Sequence, residues 1–105
     1  MKKISYVNKN VLADAMENYN NEKMLAQSMG ETTFTIDVNK LAVSSYEERY
    51  GLNSALFNVR AIVKLTDMYL RAFVKIAKSE FKAGEITRGE IKDGKGLYAL
   101  ATFAL

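Results

Sequence analysis

Arg60, Lys64, Arg71, Lys75, Lys78 and Lys82, with Asp67 among them, recur at every third or fourth position. At about 100° per residue they share a sector about 80° wide on an α-helix. A stripe of cations can hold the phosphates of a nucleic acid or the carboxylates of an acidic protein. It can also be a plain solvated face. Lys75, Lys78 and Lys82 stand toward the helix C-terminus, where the dipole favours cations, and Asp67 is placed to pair with Arg71. Against the plain reading, Arg60/Lys64, Arg71/Lys75 and Lys78/Lys82 are like-charged neighbours. Each pair costs roughly 0.2–0.5 kcal/mol, a sum on the order of 1 kcal/mol. That is too little to decide between the two readings.

Other candidate chemistry is sparse. The chain has no His and no Cys. It therefore lacks the commonest general base, metal ligand and pH switch, every thiolate site and every disulfide. Ser44, Ser45, Ser54 and Ser79 have no His to activate them. Asp93-Gly94-Lys95-Gly96 is Gly-rich and basic, without the spacing or the Ser/Thr of a phosphate-binding loop. Glu47/Glu48 and Glu85/Glu90/Asp93 are carboxylate pairings of the kind any charged loop contains. A Lys base or a carboxylate-bound Mg²⁺ stays formally open. The chain reads as non-enzymatic, with no cofactor and no metal.

The stripe lies on the dominant element. Residues 53–83 run without an internal Gly or Pro, and most positions off the stripe are apolar. The pattern predicts one long central helix, capped by Asn53 and ended by Gly84. Its apolar arc is wider than the 100° or so that packing on a sheet needs. Either the rest of the chain covers it or the surplus is an interface, for which Leu56, Val59, Val63, Leu70 and Phe73 are the candidates.

Around this helix the signals are shorter. Ile4 to Val7 reads as a strand. Asn10 can cap a shorter N-terminal helix carrying Val11, Leu12, Ala15, Met16 and Tyr19, which Asn18, Asn20 and Asn21 should end or kink. Gly30 is a plausible C-terminal stop. Residues 32–38 alternate as a strand, with Phe34, Ile36 and Val38 on one face. Asn39-Lys40 reads as a turn, and Ser45 with Glu48 as the capping box of a short helix broken by Gly51. That rhythm loosely matches a helix-turn-helix, though Glu47 stands where a small residue is usual. Near the C-terminus, Asp93-Gly94 is a hairpin signal. Thr87 with Glu90 is again a capping-box pattern, and residues 97–105 suit strand or helix equally.

The bulk properties frame these elements. The 105 residues suit one domain. The net charge of +3 and pI near 9.1 permit an acidic partner without demanding one. The start of the chain resembles a signal peptide too short and too interrupted to serve. The longest uncharged runs, residues 50–59 and 96–105, fall well short of the roughly 20 residues that span a bilayer.

The expected fold is α+β: a small antiparallel sheet packed on one long central helix, about 53–83, plus a shorter N-terminal helix. The expected function is protein–protein contact, with self-association into a homo-oligomer along the long helix. Nucleic-acid binding through the stripe is the alternative. No membrane role is expected, and the location is read as cytoplasmic. Lys outnumbers Arg and Asn is abundant, the usage of an AT-rich genome. Small chains of this style fit phage or mobile-element accessory factors (inhibitors, assembly or virion components), placing them in a host cytoplasm or a virion.

Overall fold

The computed structural model of the chain describes residues 9–79, 84–90 and 97–105. In order they form α1 (Lys9–Ser28), β1 (Thr33–Asp37), α2 (Val38–Tyr50), a 3-10 helix (Ser54–Phe57), α3 (Val59–Ser79), β2 (Gly84–Glu90) and β3 (Leu97–Ala104). The strands make an antiparallel sheet in the order β1-β3-β2. The α+β class is the one expected. The N-terminal strand at residues 4–7 and the hairpin signal at Asp93-Gly94 lie outside the described residues.

The sheet has one covered face. Phe34 pairs with Phe103 and Ile36 with Ala101, and all four are buried. The next residues along, Thr33, Thr35 and Tyr98, point to the opposite face and are exposed. On that outer face the Thr35 and Thr102 hydroxyls are 2.9 Å apart and hydrogen-bonded. Tyr98 lies across Gly89 so closely that a Cβ there would sit 2.6 Å from its hydroxyl. An aromatic ring covering a strand glycine restores contact that the missing side chain forfeits. These pairings also decide residues 84–90. The Thr87/Glu90 pattern makes no helical turn, because Thr87 and Glu90 pair with Leu100 and Leu97 of β3.

Aromatic rings join the two layers. Phe103 of β3 meets Tyr19 of α1 edge-on at 5.0 Å and 88°, Phe34 at 5.4 Å and Phe73 of α3 at 6.1 Å. Edge-to-face pairs of this kind add about 0.5–1.5 kcal/mol each beyond their buried area. Tyr19 also explains why α1 does not stop at its asparagines. Its ring is fully buried, so tertiary packing holds the helix where local propensity is poor. The Asn18 amide reaches back to the Asp14 carbonyl at 3.0 Å, while Asn20 and Asn21 face solvent. α1 spans 20 residues, one fewer than the 21 of α3, and runs on past the asparagines expected to end or kink it. Its end is as read. Gly30 has φ 74°, the Gly30 N–H reaches Gln27 O and the Glu31 N–H reaches Ala26 O, a Schellman closure.

The other helix starts differ from expectation. β1 passes into α2 with no intervening loop, because the Asp37 carboxylate accepts from the Lys40 N–H at 3.0 Å and caps the helix. Asn39-Lys40 is therefore helical, and Ser45 lies inside α2. α3 begins at Val59, not Asn53. Asn53 has φ 66° and precedes the 3-10 helix. Asn58 is the cap: its carboxamide oxygen accepts from the Ala61 N–H at 3.1 Å. The continuous helix over residues 53–83 is not formed. α3 is described to Ser79, and Gly84 opens β2. Residues 51–58 separate α2 from α3, too long a connection for the three- to four-residue turn of a helix-turn-helix.

Candidate functional site

α3 is covered by α1, α2, β2 and β3. The wide apolar arc therefore finds its partners within the chain. Leu70 and Phe73 belong to the core, Val63 is half-buried, and only Leu56 and Val59 of the five interface candidates are exposed. Leu70 and Phe73 cannot contact another molecule in the folded chain. The proposed face along the helix reduces to its N-terminal approach.

That approach forms a distinct corner. Gly51 at φ 105° and Asn53 at φ 66° turn the chain after α2. Ala55 is buried and pins the 3-10 helix. The Asn58 amide donates to the Tyr46 hydroxyl at 3.0 Å, tying the start of α3 to α2. With its backbone so held, the corner turns its large side chains outward: Leu52, Leu56 and Phe57 are 86%, 71% and 87% exposed. Tyr50 and Val59 flank them and are also exposed. Single exposed apolar residues are ordinary, but a contiguous group is a mark of a contact site.

The basic stripe starts beside the corner. Arg60, Lys64, Arg71, Lys75 and Lys78 are all exposed on α3, and Lys82 lies outside the described residues. Arg71 donates from Nε to Asp67 at 3.1 Å. Among the described residues that is the one ion pair, so the other four cations of the stripe carry no carboxylate partner there.

Between α1, α2 and α3 lies an open cleft of about 650 Å³. Asp14 and Tyr69 lie within it. The Tyr69 hydroxyl donates to Asp14 at 2.5 Å. Burial, together with the Asp14 bond, pushes the Tyr69 hydroxyl up from 10.0 to about 12, opposed by the nearby Ser45 hydroxyl. Tyr46, Arg49, Tyr50 and Lys64 also line the cleft. The two tyrosine rings are 4.6 Å apart, and the Arg49 guanidinium sits 5.7 Å from the Tyr50 ring centre. Sequence reading missed this cleft entirely. Asp14 and Tyr69 are far apart in the chain, and no spacing rule joins them.

Among the described residues no group of three or more acidic, His or Cys side chains could hold a metal ion. No described helix is long and apolar enough to cross a membrane. The chain matches no protein-family model, no curated protein and no solved structure.

Proposed function

We propose that the protein is a non-enzymatic binding protein that works through protein–protein contact and self-associates through the corner at residues 50–59. One observation carries this reading: five large apolar side chains within ten residues of chain, Tyr50 at the end of α2, Leu52, Leu56 and Phe57 in the connection, and Val59 at the start of α3, are all exposed. Two copies meeting through the same patch would bury it with no other component, as in the common two-fold dimer. An accessory role in a phage or mobile element fits the composition and remains part of the proposal.

Light scattering coupled to size-exclusion chromatography tests it. Wild type should run above its 11.8 kDa chain mass, and Phe57→Asp should return it to that mass with an unchanged melting temperature. A wild type that stays monomeric at high concentration overturns self-association.

A second reading rests on the stripe: Arg60, Lys64, Lys75 and Lys78 are exposed without carboxylate partners among the described residues. They would take nucleic-acid phosphates, and binding would then fall steeply with added salt. Apolar self-association would not.

A further inference from the structure

We propose that the outer edge of β1 takes an extended, Lys- or Arg-bearing segment of another protein as an added strand of the sheet. β1 stands at one end of the order β1-β3-β2 and pairs with β3. The register decides which of its backbone groups that pairing uses. The Leu105 N–H donates to Thr32 O at 3.0 Å, and the next residue, Thr33, lies opposite Ala104. Thr32 and Leu105 are therefore a hydrogen-bonded pair, and such pairs alternate along an antiparallel ladder. Phe34 with Phe103 and Ile36 with Ala101 are bonded in turn, whereas Thr33, Thr35 and Asp37 direct their N–H groups away from β3. The 2.9 Å contact between the Thr35 and Thr102 hydroxyls agrees, since side chains come closest in the non-bonded pairs. Thr33 and Thr35 thus offer two N–H and two C=O groups at the edge, and among the described residues no strand takes them. An extended strand is the partner that presents donors and acceptors at that repeat.

The two edges of the sheet differ. β2 carries Gly84, Arg88, Gly89 and Glu90, and charges and glycines weaken an edge against added strands. β1 is Thr-Phe-Thr-Ile-Asp, without Gly, Pro, Lys or Arg, and its register has no bulge. Asp37, and Glu31 just before the strand, are exposed and fall on the same side of it by the two-residue alternation. These two charges choose the occupant. A second copy paired antiparallel about Thr35 would set Asp37 one diagonal step, about 7–8 Å, from the second copy's Glu31. The two-fold axis would repeat that repulsion. A foreign segment with Lys or Arg at the spacing of Glu31 and Asp37 meets both carboxylates with attraction instead.

The probe is the synthetic peptide Lys-Val-Thr-Val-Thr-Val-Lys with blocked ends, titrated into the ¹⁵N-labelled full chain and followed by NMR. Saturable shifts should centre on residues 31–37, and the Thr33 and Thr35 amides should exchange more slowly with peptide bound. Replacing both peptide lysines by Glu should weaken binding about tenfold or more, the loss of two surface ion pairs. Glu31→Gln with Asp37→Asn should weaken the Lys peptide by a similar factor. Asn keeps the cap of α2, so the melting temperature should hold. Thr35→Pro removes an N–H that β3 does not use, so the sheet should survive and binding should be lost. Phe57→Asp, which addresses the corner, should bind the peptide like wild type, so a failure of self-association leaves this result readable. The absence of saturable shifts at residues 31–37 overturns the proposal, as does equal affinity for the Lys and Glu peptides. Slow exchange of the Thr33 and Thr35 amides without peptide overturns it too. Seen at every concentration, it would mean that the chain covers its own edge; seen only at high concentration, that a second copy does.

Discussion

The Tyr69 hydroxyl donates to the Asp14 carboxylate at 2.5 Å across 55 positions of sequence. Tyr69 is only 2% exposed, so the bond ties α1 to α3 where little water competes. It also positions a carboxylate in the cleft that those helices share with α2. Losing the phenol proton would place an anion in a buried site beside a second anion. That is the physical reason the hydroxyl titrates so late.

A pH dependence follows. The folded-state value is raised from 10.0 to about 12, so the folded chain holds this proton more tightly than the unfolded one. The stabilisation is complete below about pH 10 and is lost as pH rises toward about 12. It amounts to something on the order of 2 kcal/mol. Tyr69→Phe should cost about 1–2 kcal/mol at neutral pH, the loss of a hydrogen bond to a charged group. Denaturant melts from pH 9 to 12 should show a shallower alkaline decline in the variant. Equal slopes for the two proteins would contradict the assignment.

Phe103 should be the most sensitive core position on the sheet. It is 1% exposed and its ring meets those of Tyr19, Phe34 and Phe73. Phe103→Ala should cost about 3–5 kcal/mol, a large share of the 5–15 kcal/mol typical of a domain. Thermal unfolding by circular dichroism measures it. A loss below about 1 kcal/mol would mean the rings are not the joint between the layers.

The two caps should be worth similar amounts. Asp37→Ala removes the acceptor for Lys40 N–H, and Asn58→Ala the acceptor for Ala61 N–H. Each should cost about 1 kcal/mol. Asn58→Ala should also loosen the corner, since it breaks the bond to Tyr46. Faster amide exchange at residues 54–58 in that variant alone would distinguish the two roles.

Leu56→Asp combined with Phe57→Asp should leave the melting temperature within a degree or two of wild type, because both side chains face solvent. The same pair should abolish self-association. A substantial loss of stability in a chain that is monomeric at every concentration would show that the corner packs inward, against its proposed role.

Reversing Lys64 and Lys75 to Glu exchanges the repulsive pairs Arg60/Lys64 and Arg71/Lys75 for attractive ones. Stability should rise by a few tenths of a kcal/mol per pair. If the stripe is only a solvated face, polynucleotide binding is absent before and after. Loss of measurable nucleic-acid binding with an intact fold would promote the second reading.

Much was determined by local residue order. The alternation of Phe34 and Ile36 marks β1, although Val38, read as part of the same strand, opens α2 instead, and Gly30 marks the end of α1. The stripe from Arg60 to Lys78 marks the outer side of α3. Each depends on neighbours a few positions away, so backbone geometry and period suffice to reveal it. Other features needed the folded chain. The asparagines of α1 stay helical because Tyr19 is anchored in a ring cluster drawn from both ends of the chain. Residues 97–104 are strand because two other strands pair with them, not because of any period of their own. Residues 53–58 carry no breaker, yet they leave the helix, since Asn58 caps α3 and bonds to Tyr46 on α2. The placement of Leu70 and Phe73 in the core, and of Leu56 and Phe57 outside it, has the same origin. Apolar character states what a side chain would bury, whereas the packing of α1, α2 and the sheet around α3 decides which apolar side chains find cover.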